Sequence, residues 1–268
     1  MEIDPQSLWS DIQTIRKFSP LIHNITNYVV MEQTANSLLA IGASPVMAHA
    51  LEEVEEMAMK ASSLVLNMGT LSSSWVEAML LALKMANHRG IPIAFDPVGV
   101  GATPYRTQTA KSILNHGTIT VIRGNASEIV ALNGDHNQIK GVDSLLDPSN
   151  YVEKAKAVAN ENRCIVSMSG ETDVVTNGES VFFVHNGHPL MTKVTGMGCT
   201  ATALIGAFLS INPDPLLSSV HAAILMGIVG EIAAENSNGP GSFKASFADI
   251  LYTVSLNAIK KRMRVETL

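Results

Sequence analysis

The chain reads as an α/β protein with a central, mostly parallel sheet, helices on both faces and a short antiparallel segment. Three observations predict it. Short β-branched runs alternate with amphipathic segments over most of the chain, the pattern of a parallel sheet wound by crossover helices. Strand candidates such as Ser63-Leu64-Val65-Leu66 are nearly continuously apolar, as in strands covered on both faces. After Ser169 the helical pattern stops, and short strand-like runs follow one another across Asn177-Gly178 and Asn186-Gly187, the residue pairs of tight antiparallel turns.

Taken in order, parallel strands are expected at 21–26, 64–67, 91–95, 118–122 and 164–168, with helices between them at 51–62, 73–88 and 151–162. Antiparallel strands are expected at 173–176, 180–185 and 190–194. Three helical segments, 198–211, 214–235 and 243–263, then close the chain. The stretch 221–234 is apolar on most sides, which requires deep burial in the fold or at a subunit contact. With no linker, repeat or low-complexity tract, residues 1–268 read as a single domain.

Composition narrows the function. Apolar residues make up 46% of the chain and charged residues 16%, which calls for a large core or buried subunit surface. A formal charge of −6 gives no basic footprint, so no nucleic-acid partner is expected. The two cysteines, Cys164 and Cys199, fit a reducing compartment better than a disulfide framework. The opening Met1-Glu2-Ile3-Asp4-Pro5 lacks the regions of a signal peptide. Apolar stretches at 201–211 and 223–234 are interrupted or short for a bilayer span, so no membrane partner and a cytoplasmic location are expected.

The most informative segment is Lys193-Val194-Thr195-Gly196-Met197-Gly198-Cys199-Thr200-Ala201. It joins a β-branched run to an apolar helix through two glycines. A glycine-lined helix start leaves N–H groups unpaired at the positive end of the helix dipole, a ready site for an anion such as phosphate. Cys199 stands on the same turn, either to present a thiol or as a small apolar packing residue.

Ligands of open α/β sheets collect at the carboxyl ends of the parallel strands. There Asp96, before Pro97, can hold a hydrated Mg²⁺ or simply close a turn. Glu128 follows Asn125 by three residues, which suits either a metal-organising carboxylate or a helix capping box. Arg123 can neutralise phosphate oxygens with its planar fork, or be a surface arginine at a strand end. Gly99-Val100-Gly101 lacks the third glycine of a dinucleotide fingerprint, and no P-loop, paired-cysteine or His-Glu-x-x-His signature occurs.

In combination these motifs resemble the ribokinase-like kinases, and among them the hydroxyethylthiazole kinases of thiamine salvage. The matching stretches are His23-Asn24-Ile25-Thr26-Asn27-Tyr28-Val29-Val30, Gly42-Ala43-Ser44-Pro45-Val46-Met47, Asn67-Met68-Gly69-Thr70, Asp96-Pro97-Val98, Arg123-Gly124-Asn125-Ala126-Ser127-Glu128, Val194-Thr195-Gly196-Met197-Gly198-Cys199 and Gly239-Pro240-Gly241-Ser242-Phe243. The resemblance implies a ribokinase-like fold, and transfer of the ATP γ-phosphoryl group to the hydroxyl of 4-methyl-5-(2-hydroxyethyl)thiazole. It further implies a homotrimer with active sites between subunits. Met47 and Gly196 would contact the thiazole alcohol with Asn27 nearby, Arg123 and Ser169 would contact ATP, and Asp96 and Glu128 would organise Mg²⁺. The turn of Gly196, Met197 and Gly198 would hold the transferring phosphoryl group, and Cys199 would take the catalytic position.

The chain departs from the family pattern twice. Met197 stands where alanine is more usual, and Ser169 where threonine is; serine keeps the hydroxyl, and the anion contacts of the turn come from backbone N–H groups. Cys199 replaces the aspartate general base of most ribokinase-like kinases, as it does in the thiazole kinases. The competing readings are a pyrimidine or pyridoxal-type alcohol kinase, a nicotinamide-hydrate dehydratase, a non-catalytic thiazole binder and a thiol enzyme using Cys199 as nucleophile.

Overall fold

Asp4 starts the first helix, α1 (Pro5–Phe18), by accepting the N–H groups of Gln6 and Ser7 while Pro5 fills the first turn. The computed structural model describes residues 3–134 and 148–268. Strands and helices then alternate: β1 (Leu21–Ile25), α2 (Met31–Ile41), β2 (Ser44–Val46), α3 (Val54–Lys60), β3 (Ser63–Asn67), α4 (Ser73–Arg89), β4 (Ile93–Asp96), α5 (Pro104–His116), β5 (Val121–Asn125), α6 (Ala126–Leu132), α7 (Pro148–Asn162) and β6 (Ile165–Ser169). Then come β7 (Asp173–Thr176), β8 (Val181–Val184), α8 (Met197–Leu209), α9 (Pro215–Glu235), α10 (Pro240–Thr253), α11 (Leu256–Arg262) and β9 (Val265–Thr267).

Among the described residues the strands form one sheet in the order β2-β1-β3-β4-β5-β6-β7-β8-β9. The pairs from β2 to β6 are parallel, and β7, β8 and β9 add on antiparallel. All five expected parallel strands are present, and β3 is buried at every position, as its continuous apolar run requires. Alternate side chains feed two cores. Val65, Ala94 and Val121 pack with α1, α2 and α8 to α11, whereas Leu64, Leu66, Phe95 and Ile122 pack with α3 to α7.

The structure corrects three expectations. Residues 190–194 are not a strand: Pro189–Lys193 winds a 3-10 turn whose start His188 caps through its ring, and Pro189 withholds the N–H a ladder would need. The segment 243–263 is two helices, broken at Val254 and restarted by Ser255, which caps Ala258. Finally, α9 runs 21 residues and holds an 18-residue stretch with a mean hydropathy of 1.8, enough on length and composition to cross a bilayer, contrary to the expectation that no apolar stretch is that long. Its apolar surface is spent inside the fold, where 89% of that stretch is buried.

Two contacts set α8 over the sheet. Ser63 donates its hydroxyl to the Gly206 carbonyl at 2.7 Å, and a Cβ on Gly206 would come within 2.6 Å of Val65 Cγ2. Glycine there lets the helix lie against β3, so its N-terminus arrives at the carboxyl ends of the strands.

Candidate active site

Strand register brings the polar residues together. Asn67 and Asp96 close β3 and β4 and are register partners, as are Asn125 and Ser169 at the ends of β5 and β6. The Asn67 amide N–H donates to Asp96 Oδ2 at 2.8 Å. Its carbonyl oxygen accepts from Asn27 Nδ2 at 2.8 Å and from the Gly69 N–H at 2.9 Å. Asn27 Nδ2 in turn points to Cys199 Sγ at 3.5 Å. A Cβ on Gly69 would overlap the Asn27 side chain, so this glycine makes room for the amide.

Thr202, one turn after Cys199, donates its hydroxyl to the same Asp96 Oδ2 at 2.8 Å. Asp96 is 1% exposed, and burial pushes its carboxyl up to about 6. Arg123, Thr202 and Asn67 pull that value down, and the Glu128 charge adds to the rise. The same forces act on Cys199. Burial first, and then the Asp96 charge, push the thiol up to about 11 against the opposing amides of Asn67 and Asn27 and the Arg123 charge. With its thiol held up near 11, Cys199 is neutral at physiological pH.

Glu128 is a capping residue and a clamp at once. Asn125 Oδ1 accepts the Glu128 N–H, Glu128 Oε2 accepts the Asn125 N–H at 2.8 Å, and Oε1 accepts the Gly99 N–H at 2.8 Å. The capping-box reading is therefore realised, and it fixes a carboxylate close enough to raise Asp96. Arg106, which the sequence reading did not single out, ties the neighbouring loops by donating to the carbonyls of Met68, Val98 and Gly69, each at 2.6 Å.

Helix α8 begins at Gly196, whose φ of +87° is the left-handed conformation glycine favours. No side chain caps this end, and its first backbone bond is Thr200 N–H to the Gly196 carbonyl. Arg123 lies against it: a Cβ on Gly198 would meet Arg123 Nη1 at 2.5 Å. An uncapped helix start beside a guanidinium is an anion cradle.

The cradle opens onto a cavity of about 1120 Å³. Arg123, Ser169, Gly196, Met197 and Gly198 line it, together with residues from the β6–β7 turn and the stretch 185–194. Asp96, Glu128, Asn27 and Cys199 do not line it; Asn27, Asn67, Asp96, Thr202 and Cys199 form a separate hydrogen-bonded cluster, and Glu128 is bonded to the Asn125 and Gly99 N–H groups. Met47 stands apart from both. It is half-buried on the loop after β2, the outermost parallel strand, where its carbonyl meets His49 Nδ1 at 3.0 Å.

Comparison with known proteins agrees with this geometry. The model of the hydroxyethylthiazole kinase family matches residues 12–257. The chain belongs to the hydroxyethylthiazole kinase family. A hydroxyethylthiazole kinase from Syntrophus aciditrophicus (strain SB) is 52% identical over 266 residues, covering 99% of this chain and 98% of its own. The solved structure of a hydroxyethylthiazole kinase protein from Pyrococcus horikoshii OT3 superimposes with a TM-score of 0.91 at 41% identity, covering 98% and 99% of the two chains. A ribokinase-like superfamily protein from Enterococcus faecalis V583, at 14% identity and a TM-score of 0.65 over 97% of this chain and 91% of its own, shares the fold. The fold of this family member is thus ribokinase-like, and as a kinase it is a phosphotransferase that uses ATP.

Thr202 and Arg106 are contributors that the sequence does not reveal, whereas Asn67 is visible only within a strand-end motif, with no role of its own. Asn67 stands inside a matched motif and ends a strand, which was a usable signal. Thr202 carries none, because its partner Asp96 is 106 positions away.

Proposed function

We propose that the chain transfers the γ-phosphoryl group of ATP to the hydroxyl of 4-methyl-5-(2-hydroxyethyl)thiazole, as a cytoplasmic enzyme of thiamine salvage formed by one catalytic domain, residues 1–268. The observation that carries this reading is the uncapped start of α8, with Arg123 against Gly198, at the mouth of a nucleotide-sized cavity.

In this reading ATP occupies the cavity with Ser169 and Arg123 on its phosphates, and the turn of Gly196, Met197 and Gly198 receives the transferring group. The donor set suits Mg²⁺. Among the described residues no group of three or more metal-ligating side chains exists, so no all-protein cage is available. Two carboxylates, Asp96 and Glu128, remain near the anion cradle, the arrangement a hydrated Mg²⁺ shared with phosphates uses. Bound there, the ion would neutralise phosphate charge during transfer.

Asn27 and Gly196 take the thiazole alcohol, with Met47. The alcohol oxygen bonds to the γ-phosphorus as the β–γ bridge breaks and ADP leaves. Transfer of this kind has a loose transition state in most analyses and depends more on positioning and charge than on early deprotonation. Cys199, a neutral thiol held near pKa 11, therefore shapes the pocket, and the alcohol proton leaves late, to a phosphoryl oxygen and then to solvent.

Met47 reaches no part of the cavity in its own chain, which supports a homotrimer in which each thiazole pocket lies between subunits. Tyr28 and Val29, more than 60% exposed beside the site loop, supply apolar surface for such a contact. Light scattering tests this: a trimer mass supports it, and a monomer with full activity removes it.

The test of function is coupled ADP release with Mg·ATP and the thiazole alcohol, against a no-thiazole control and a pyrimidine alcohol. Thiazole-dependent ADP release with matching ester formation is expected. Thiazole binding without turnover would overturn the kinase in favour of a binder.

A further inference from the structure

One wall of the cavity is the bend of His185, Asn186, Gly187, His188 and Pro189 after β8. Loops of this kind are usually held by their own turn chemistry. Here the bend is held from behind, by a buried carboxylate and by Arg262 and Arg264, which lead into the last strand of the sheet.

Glu231, 8% exposed on α9, collects three N–H donors on Oε1: the Asn186 amide at 3.0 Å, the Gly187 backbone at 3.0 Å and Arg264 Nη2 at 2.6 Å. Arg262 Nη1 stands 3.7 Å from Oε2. Asn186, 5% exposed, also donates to the Arg262 carbonyl at 2.8 Å and accepts the Arg264 N–H at 2.9 Å, so both amide hydrogens and the oxygen are used. Arg264 closes the ring by donating to the His185 carbonyl at 2.9 Å. The bend lies tight on α9: a Cβ on Gly227 would come within 2.5 Å of Asn186 Cβ and within 2.6 Å of its carbonyl carbon.

A buried carboxylate is costly unless charge and hydrogen bonds compensate it, so these partners lock together or fail together. We propose that Glu231 and Arg264 are positioning residues for nucleotide binding, setting the His185-to-Pro189 wall of the cavity from the side opposite the ligand. The inference rests on the reading of this cavity as the ATP site, and it extends the site to residues that touch neither ATP nor the thiazole alcohol.

Glu231→Ala would strand three donors and threaten folding, so the informative variant is Arg264→Ala, whose side chain is 52% exposed. Loss of one charged anchor should raise the ATP dissociation constant, measured by calorimetry, and the KM for ATP about tenfold. The KM for the thiazole alcohol should stay within about twofold, kcat should fall less than about threefold, and Arg264→Lys should recover part of the ATP affinity. Unchanged ATP affinity in Arg264→Ala, or equal rises in both KM values, would overturn the proposal while leaving the kinase reading intact. Absence of ATP binding by the unmodified protein would overturn both.

Discussion

Asn67 and Asp96 end adjacent parallel strands in register and share a 2.8 Å hydrogen bond, and through Asn67 the buried carboxylate is linked to Asn27 and then to the Cys199 thiol. A chain of amides thus joins Asp96, which the proposed reading gives to the metal, with Cys199, which it sets beside the acceptor alcohol. Its orientation is set: Asn67 can give its hydrogen to Asp96 only while its oxygen faces Asn27 and Gly69.

Asn67→Ala should therefore loosen both ends at once. Asp96 would keep Thr202 and Asn27 would keep Cys199, so the fold should survive with a loss of about 2 kcal/mol, read from denaturant unfolding. The rate should fall roughly 10- to 100-fold through misplacement. Activity within twofold of the unmodified enzyme would show that the amide chain is structural only.

Asp96→Asn should separate stability from activity. Ionising this carboxyl in the folded chain is unfavourable, because burial raises it from an ordinary 3.8 to about 6. The penalty is absent below pH 4, grows between 4 and 6 and is complete above, where it corresponds to about 3 kcal/mol. Asparagine keeps an oxygen for Thr202 and Asn67. In protein free of nucleotide and Mg²⁺, the variant should match the parent Tm near pH 4 and exceed it at pH 7, while losing at least about 100-fold in kcat. An equal Tm difference at both pH values would contradict the burial argument.

Cys199→Ala should retain more activity than a kinase deprived of its general base, which typically loses roughly 100- to 10,000-fold. A collapse to background would sink the shaping role. With the thiol held near 11, alkylation of the native protein by iodoacetamide at pH 7.5 should be slow and should accelerate with pH past 9.

The two glycines of the α8 turn should fail differently. Gly198 has no positive φ, so Gly198→Ala acts only by pushing Arg123, 2.5 Å from the new Cβ, and should raise the KM for ATP. Gly196→Ala combines a φ of +87° with Val30 Cγ1 at 2.8 Å, and should lower the Tm as well as the rate. Equal Tm values for the two variants would remove the distinction.

The α/β class, five of the six parallel strands and the glycine turn are legible in the chain alone, and so are the strand-end residues proposed for the site. These are local signals: β-branched runs, glycines in a helix start, an Asn-x-x-Glu after a strand. Even so, α1 and α5 go unpredicted although Asp4-Pro5 and Thr103-Pro104 carry helix-start chemistry, and 190–194 reads as a strand where Pro189 winds a 3-10 turn. What those residues do to one another follows from the packed fold alone. Whether Glu128 caps or clamps, how far Cys199 and Asp96 shift, and how Asn67, Thr202, Glu231 and Arg264 join the site depend on partners up to 172 positions apart. Burial and hydrogen-bond pairing arise only when the strands are in register and α8 lies on the sheet, and no local pattern in the chain encodes those distances.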